Sequence, residues 1–474
     1  MRSSSQTTIA IIGAGFSGTA TALNLLSLAQ QSGQDLHVIL IGAPDSYARG
    51  LAYATEDDNL VLNVPAGNMS VYADRPDDFL DYCRGLDAAL NSGSFLFRRV
   101  YGEYLHTRLG QALAGCPGML TRLAGRVVKL SHTPTFPISP TTQAYTLTLA
   151  SGACCTADQV VLALGHDGPR PLSEICHAPA LDGAHCVNNP WDIRSLDRLP
   201  LDQDVLIVGT GHTAIDTLFR LTTVPGRRRI ILVSRHGQMP QGHRKAGEFV
   251  KLPHLSDEVA VTVRNVLQRQ PTVRALVAAI RKTGRLHVDA QDGTTGNWRN
   301  VINSLRPLTP EIWRALPVSE RRRFLRHVVP HWDVLRHRLA PVAMRRLQGL
   351  VDAGRAEIIA GRIHSINAAL QVEIALRGQD QVRTLQPGSV VNCTGPNYDI
   401  LRIDDPLLRQ LVQDGLLRQD ELRIGLQIDE HYRCSALKQL YYIGPMLKAR
   451  DWEAIAVPEL RVHAFNLAQI ILAV

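Results

Sequence analysis

Two stretches of one design, TIAIIGAGFSG at residues 8–18 and DVLIVGTGHTAID at residues 204–216, constrain the fold of this chain more than anything else in it. Each begins with a short apolar run, residues 9–12 and 205–208, of the length and composition of a strand buried in a parallel sheet. Each then turns on small residues and enters a helix-forming run. In the first turn Gly13 lets the chain leave the strand sharply, and Gly15 lets the backbone approach a pyrophosphate with no Cβ in the way. Gly18 lets helix and strand pack closely, while the free N–H groups around Phe16 and Ser17 and the positive end of the helix dipole face the phosphates. In the second turn Gly209, Gly211 and Ala214 take the same three places, with His212 and Thr213 opening the helix. Ala serves at the third place because only close packing is required there. Strand, glycine turn and helix in this order make a dinucleotide-binding unit, and the chain carries two.

The second strands of the two units end differently. In the first unit residues 37–41 form the strand, and the position where an acid usually holds the adenosine ribose is Gly42; Asp45 is the nearest stand-in. In the second unit residues 229–233 run into Ser234-Arg235-His236-Gly237. A guanidinium there can pair with a 2′-phosphate and Ser234 can donate to it, which predicts NADPH rather than NADH. The N-terminal unit is then expected to take FAD and the later one the nicotinamide. The expected fold class is α/β, with two Rossmann-like dinucleotide-binding domains and a helical insertion. Residues 1–170 form the first part of the FAD domain, 195–350 the NAD(P) domain with the insertion, and 355–474 the returning part of the FAD domain.

Composition removes several alternatives. No apolar run approaches the roughly 20 residues of a membrane span. The opening residues MRSSSQ lack the apolar core of a signal peptide, so a cytoplasmic protein without a membrane partner is expected. Eight cysteines include no CxxC pair, which argues against a zinc knuckle or dithiol centre, and no metal site is expected. The net charge of +8 raises the question of nucleic acid, but no RNA-binding motif or aromatic stacking pattern accompanies the arginine clusters. No nucleic-acid partner is expected, and oligomeric state is left open.

Other stretches carry candidate ligand contacts. Gly50, Tyr53, Asn63, Gly67 and Met69 lie in segments that read either as loops close to a ligand or as ordinary surface loops. Arg98 opens a helix and either meets an anion or is simply exposed. Residues 126–130, 144–150 and 153–158 read as a small antiparallel piece, and 159–164 as a buried strand closing on Gly165. Residues 168–200 read as a linker and 250–350 as a helical, basic insertion. Within that insertion residues 330–338, PHWDVLRHR, either solvate a helix or reach into a cleft. Another apolar strand closes on Thr394-Gly395, and Gly444 precedes Asp451-Trp452-Glu453 and a C-terminal helix.

With these pieces in place the chain resembles the two-dinucleotide-binding flavoproteins. More narrowly, it resembles the FAD/NAD(P)-binding family close to flavin-dependent N-hydroxylating monooxygenases. The matching stretches are GAGFSG, ARGLAYAT, LNVPAGNMS, RRVYGEYL, VGTGHTAID, SRHG, HWDVLRHR, NCTGP and IGPMLKARDWEAIAVPELR, spread over almost the whole chain. The resemblance implies that Gly13, Gly15, Gly18 and Gly50 line the FAD pyrophosphate, that Tyr53, Asn63 and Met69 approach the flavin ring, and that Val127 meets adenine through its backbone. Gly165 and Thr394-Gly395 would mark the crossings between domains, with Gly444 and Glu453 near the ribityl chain and pyrimidine end. Gly209, Gly211, Thr213, Ser234 and Arg235 would hold NADPH. Hydride would pass from NADPH to the flavin and on to O₂, giving a C4a-hydroperoxide that oxygenates an amine or amino-acid-like small molecule. Asn63, Arg98, Arg336 and His337 are the candidate catalytic residues; Arg98, Arg336, His337 and Arg338 could hold a substrate carboxylate. Two alternatives stay open: a reductase or dehydrogenase passing electrons to a quinone or partner, and a flavin-bound binding module with little turnover.

Overall fold

Short runs dominated by Ile, Val and Leu become strands buried on both faces, and they order the molecule. The computed structural model describes residues 6–132, 145–176, 185–243, 253–288, 298–434, 437 and 439–473. Strand β1 (Thr7–Ile12) leads through Gly13–Gly15 into the helix Phe16–Ser32, and β2 (Leu36–Gly42) returns parallel to it, Ile9 opposite Val38. The helix Arg98–Gly115 carries the chain to β3 (Leu120–Ala124), parallel to β2. A three-stranded antiparallel sheet follows: β4 (Val127–His132), β5 (Tyr145–Leu149) and β6 (Cys154–Ala157), as the alternating sequence predicts. Strand β7 (Gln159–Leu162) then comes back beside β1.

The second sheet begins upstream of the expected boundary at residue 195. Strand β8 (Cys186–Val187) lies inside the segment read as a linker yet pairs in this sheet. It is followed by β9 (Val205–Val208), the helix His212–Leu221 and β10 (Ile230–Ser234). After the helical insertion come β11 (Ala356–Ile366), β12 (Val372–Leu376), β13 (Val382–Leu385) and β14 (Ser389–Asn392). The order is β13-β12-β11-β10-β9-β14-β8. Residues 356–392, grouped by the sequence reading with the returning FAD domain, therefore belong to the second sheet. The physical reason is the parallel pairing of β10 with β11, Ile230 opposite Ala356. The insertion occupies the crossover between those two strands, and its last helix, Pro341–Asp352, packs Ala343 and Leu347 into the core of this sheet.

Helices in the first three quarters of the insertion build their own core around Leu255, Val259, Val263, Leu276, Val301 and Leu305. They are anchored to the first domain by Trp313, whose Nε1 donates to Ala449 O at 2.9 Å and whose ring packs 4.7 Å from that of Trp452. Finally β15 (Leu440–Tyr442) joins the first sheet, giving the order β15-β7-β1-β2-β3, all parallel. The C-terminal helix Val457–Leu472 lies against the helix Phe16–Ser32. Among the described residues no helix is long and apolar enough to cross a membrane.

Candidate functional site

In an open parallel sheet a ligand sits beyond the carboxyl ends of the strands, where the order reverses. For the first sheet that point is the end of β1. Gly13 takes φ +112°, and a Cβ there would lie 2.3 Å from Ala163 O beyond β7, so only glycine makes this turn. Gly15 caps the helix Phe16–Ser32 in extended conformation with no side-chain hydrogen bond to the first-turn amides, which stay available to phosphate oxygens. Gly50 faces Gly15, its segment tied down by Ala48 N donating to Ala14 O at 2.8 Å. These backbone groups form a cradle that fits a pyrophosphate.

The strand order divides the rest of the ligand. β2 lies on one side of the cradle, and Gly125 N donates to Gly42 O at 3.0 Å, which brings the buried Val127 to that side. A Cβ on Gly42 would come within 2.5 Å of Ala14 Cβ, so an acid has no room at the usual ribose position. Asp45 is exposed in the single turn after it. The other half of a dinucleotide must run over β7 and β15. Their ends are joined by Tyr442, whose hydroxyl donates to Leu164 O at 3.0 Å and accepts from Met446 N at 3.1 Å. Above them Gly165 and His166 are exposed, and nothing lies within 4 Å of where a Gly165 side chain would start. Tyr53 stands edge-on to Tyr101 at 4.7 Å, and burial pushes its hydroxyl pKa up to about 12 against the opposing pull of Arg98. Met69 is fully buried, and Asn63 uses its carbonyl to accept from His243 Nε2 at 2.9 Å.

The second turn repeats the first. Gly209 has φ +127°, and a Cβ there would meet Cys393 O at 2.2 Å. Beyond it opens a cleft of about 1010 Å³, lined by Gly209–Thr213, Ser234, Arg235, Thr394 and Gly395. That volume and those backbone amides fit a nicotinamide dinucleotide. Ser234 Oγ accepts from Thr210 Oγ1 at 2.9 Å and from Gly237 N at 3.1 Å. Arg362 on β11 and Tyr398 past β14 also line the cleft, and neither was singled out in the sequence. Arg362 follows a glycine on the next parallel strand, a signal visible only once β11 is paired with β10. The two domain crossings are bonded together, Asn397 N donating to Gly168 O at 3.1 Å.

The candidate carboxylate-binding arginines are all engaged by protein groups. Arg98 Nη2 lies 2.6 Å from Asp216 Oδ2, joining the first domain to the second. Arg336 Nε is 3.1 Å from Glu453 Oε2 and its Nη2 3.3 Å from Glu459 Oε1, joining the insertion to the first domain. Glu453 also accepts from Trp332 Nε1 at 2.8 Å. Arg338 donates to Leu335 O at 3.0 Å and to Asn303 Oδ1 at 2.5 Å. His337 gives its carbonyl to a His212 ring nitrogen at 3.0 Å. Burial, with Arg336, His212 and Lys448 nearby, holds the His337 imidazole neutral, its pKa well below the ordinary value. Arg220 and Asp57, 3.0 Å apart, add a further tie between the two domains. These groups act as struts around a seam.

Residues 10–167 match the model of the FAD-NAD(P)-binding family. No curated protein matches the chain by sequence. Among solved structures, L-lysine 6-monooxygenase from Pseudomonas syringae superposes with a TM-score of 0.63 at 17% identity, over 98% of this chain and 99% of that one. The ornithine N-hydroxylase of Kutzneria sp. 744, solved with FADred, NADP+ and L-orn, gives 0.60 at 13%, over 99% of both chains. Bacillithiol disulfide reductase from Staphylococcus aureus gives 0.52 at 12%, again over 99% of both. At these identities the likeness is one of fold: two dinucleotide-binding domains over the full length of the chain.

Proposed function

Since residues 10–167 are an FAD-NAD(P)-binding unit, we propose that the protein is an FAD-dependent, NADPH-using monooxygenase that N-hydroxylates an amine or amino-acid-like small molecule. Bound FAD would supply the redox chemistry, taking a hydride from NADPH and passing its electrons to O₂ and the substrate. The chain's own residues hold and shelter the cofactors. Gly13, Gly15 and Gly50 present backbone to the FAD pyrophosphate; Ser234 and Arg235, with Arg362, receive the 2′-phosphate of NADPH.

One observation carries this reading. Tyr398 lines the nucleotide cleft, and its ring lies 5.7 Å from that of His166, just past the end of β7, over which the flavin half is read to run. This nearness supports a meeting of the two cofactor ends at one seam, where the buried ion pairs of Arg336 with Glu453 and Glu459 would help keep bulk water out. The sequence has no CxxC pair to receive electrons as a disulfide reductase of the dithiol type would.

The experiment is anaerobic reduction by NADPH followed by mixing with oxygenated buffer, with and without candidate amines. Flavin reoxidation coupled to hydroxylamine formation, with NADPH consumption stimulated by an amine, is expected. Turnover with artificial acceptors under anaerobic conditions and no hydroxylated product would replace this reading with a reductase. Flavin that NADPH leaves oxidised would replace it with a binding module.

A further inference from the structure

A cavity of about 710 Å³ lies where the insertion meets the returning part of the first domain, and no residue lining it also lines the nicotinamide cleft. It sits beside the edge strand β15, where Cys434 N donates to Leu440 O at 3.0 Å, and not beyond the strand ends that take the cofactors. Its floor is apolar: Leu426 is buried, and Leu416 and Ile428 pack on the core of the first sheet. Four arginines stand around that floor. Arg321, on the insertion helix Val318–His327, donates Nε to Leu316 O at 2.9 Å and Nη2 to Arg314 O at 3.0 Å. Arg450 lies 4.4 Å from the centre of the Tyr432 ring and pairs with Asp451 at 2.8 Å. Arg433 has a buried Nε with no hydrogen-bond partner among the described residues, and Arg418 is exposed. Among the described residues no carboxylate oxygen comes within 4.0 Å of Arg321, Arg418 or Arg433. The acids in the lining are turned to the backbone or to water. Asp420 accepts from Leu422 N, Ile424 N and Gly425 N at 2.8, 2.7 and 2.8 Å, and Asp429 from His431 N and Arg433 N at 2.9 and 2.7 Å. Glu421 is exposed. Guanidinium groups drawn partly out of water without a counter-ion at contact are costly, and an apolar floor beside them adds a second unmet preference.

We propose that this cavity binds an organic monoanion with an apolar body, of which a medium-chain carboxylate is the simplest representative. The acid group takes the unpaired charge of Arg321, Arg418 and Arg433, and the chain lies over Leu416, Leu426 and Ile428. A guanidinium holds an oxyanion through paired N–H groups, and apolar walls strengthen those bonds. The volume is that of a site for a small organic molecule. Val318 and Arg321 come from the insertion and the rest of the lining from the first domain, so one bound molecule ties the two together. It does so beside an existing tie, since Arg450 pairs with Asp451, which lies 3.5 Å from Arg314 of the insertion. The ligand is therefore a clamp on the insertion, and the site holds whichever reaction the flavin performs.

The test is calorimetric titration of the FAD-loaded protein with octanoate, against 1-octanol, which lacks the charge, and acetate, which lacks the chain. Octanoate should bind about tenfold or more tightly than either, since each control gives up one of the two complements. Arg418→Glu, at an exposed position, should lower the octanoate affinity about tenfold and leave that of 1-octanol as it was. Arg321→Gln should do the same, and an unchanged flavin spectrum and urea midpoint would show that each variant is folded. Hydrogen exchange locates the site: octanoate should slow exchange both in the helix Val318–His327 and in residues 415–429. Octanoate that binds no better than 1-octanol or acetate, or whose affinity survives both variants, would overturn the proposal. Protection confined to other parts of the chain would do so as well, and protection of only one of the two segments would remove the clamp.

Discussion

The two dinucleotide units have nearly the same turn and opposite fittings around it. Gly13 and Gly209 both have φ above +100°, and a Cβ on either would strike a carbonyl of the neighbouring crossover segment, at 2.3 and 2.2 Å. At the third position the first unit is tighter: a Cβ on Gly18 would lie 1.9 Å from Gly13 O, whereas Ala214 carries its Cβ in the second. At the ribose end the contrast is larger. β2 stops on Gly42, packed against Ala14, while β10 stops on Ser234-Arg235 at an open cleft. The backbone turn is what a pyrophosphate requires and is kept; the strand end decides which dinucleotide follows.

The sharpest break of this comparison uses a matched pair of variants. A Cβ on Gly15 meets only Gly50 Cα at 3.5 Å, and one on Gly211 meets nothing within 4 Å, so valine at either leaves the fold room. Gly15→Val should purify colourless. Gly211→Val should stay yellow while its reduction by NADPH slows about a hundredfold or more. A colourless Gly211→Val protein would reverse the assignment of cofactors to units.

Acid should loosen the contact between the units. Burial holds His243, which bonds across to Asn63, and His463, under the first sheet, at pKa values of about 4. In the unfolded chain both titrate near 6.5. A histidine kept neutral by the fold contributes stability that is full above pH 6.5 and is lost as pH falls towards 4, on the order of 3 kcal/mol each. The urea midpoint should fall over that window, and His243→Gln should flatten part of the fall. A midpoint constant from pH 7 to 4 would contradict the neutral assignment.

Specificity is the next test. Arg235→Ala should raise KM for NADPH by about 10- to 100-fold, with little change for NADH. Equal changes would remove the 2′-phosphate from that strand end. Gly42→Asp, which restores the usual acid to the first unit, should bring no gain in FAD affinity and cost about 1–3 kcal/mol through its clash with Ala14. The smallest effect belongs to the strut between the units: a double-mutant cycle on Arg98 and Asp216 should return a coupling of about 1 kcal/mol.

What the sequence showed follows from the range of each interaction. Turns, flanking strands and the small antiparallel sheet were legible because glycine sterics and apolar periodicity act within a dozen residues. The membership of β11–β14 was hidden by the insertion, which separates β10 from its parallel neighbour. Arg98 and Arg336 read as free cations because a sequence displays charges without partners: Asp216 lies 118 residues from Arg98, and Glu459 lies 123 from Arg336. Lys448 stood in a matching stretch close to Gly444 and Glu453, but that it lies over Tyr398 as well as its own neighbour Trp452 depends on two segments some fifty residues apart meeting.

The first sheet also sets an order of events during synthesis. Its edge strand β15 and the helix beside Phe16–Ser32 come from the last tenth of the chain, and Gln34 bonds to Leu472 O across 438 residues. The second sheet draws all its strands from the contiguous stretch 186–392. On a ribosome that middle domain can close while the N-terminal half still waits, with the edge of β7 bare and one flank of the first helix uncovered. Closing that gap carries the entropy of a very long loop. The newborn chain is therefore most vulnerable to aggregation and proteolysis at the very segment that opens it, and early arrival of FAD would act as a clamp on the unfinished half.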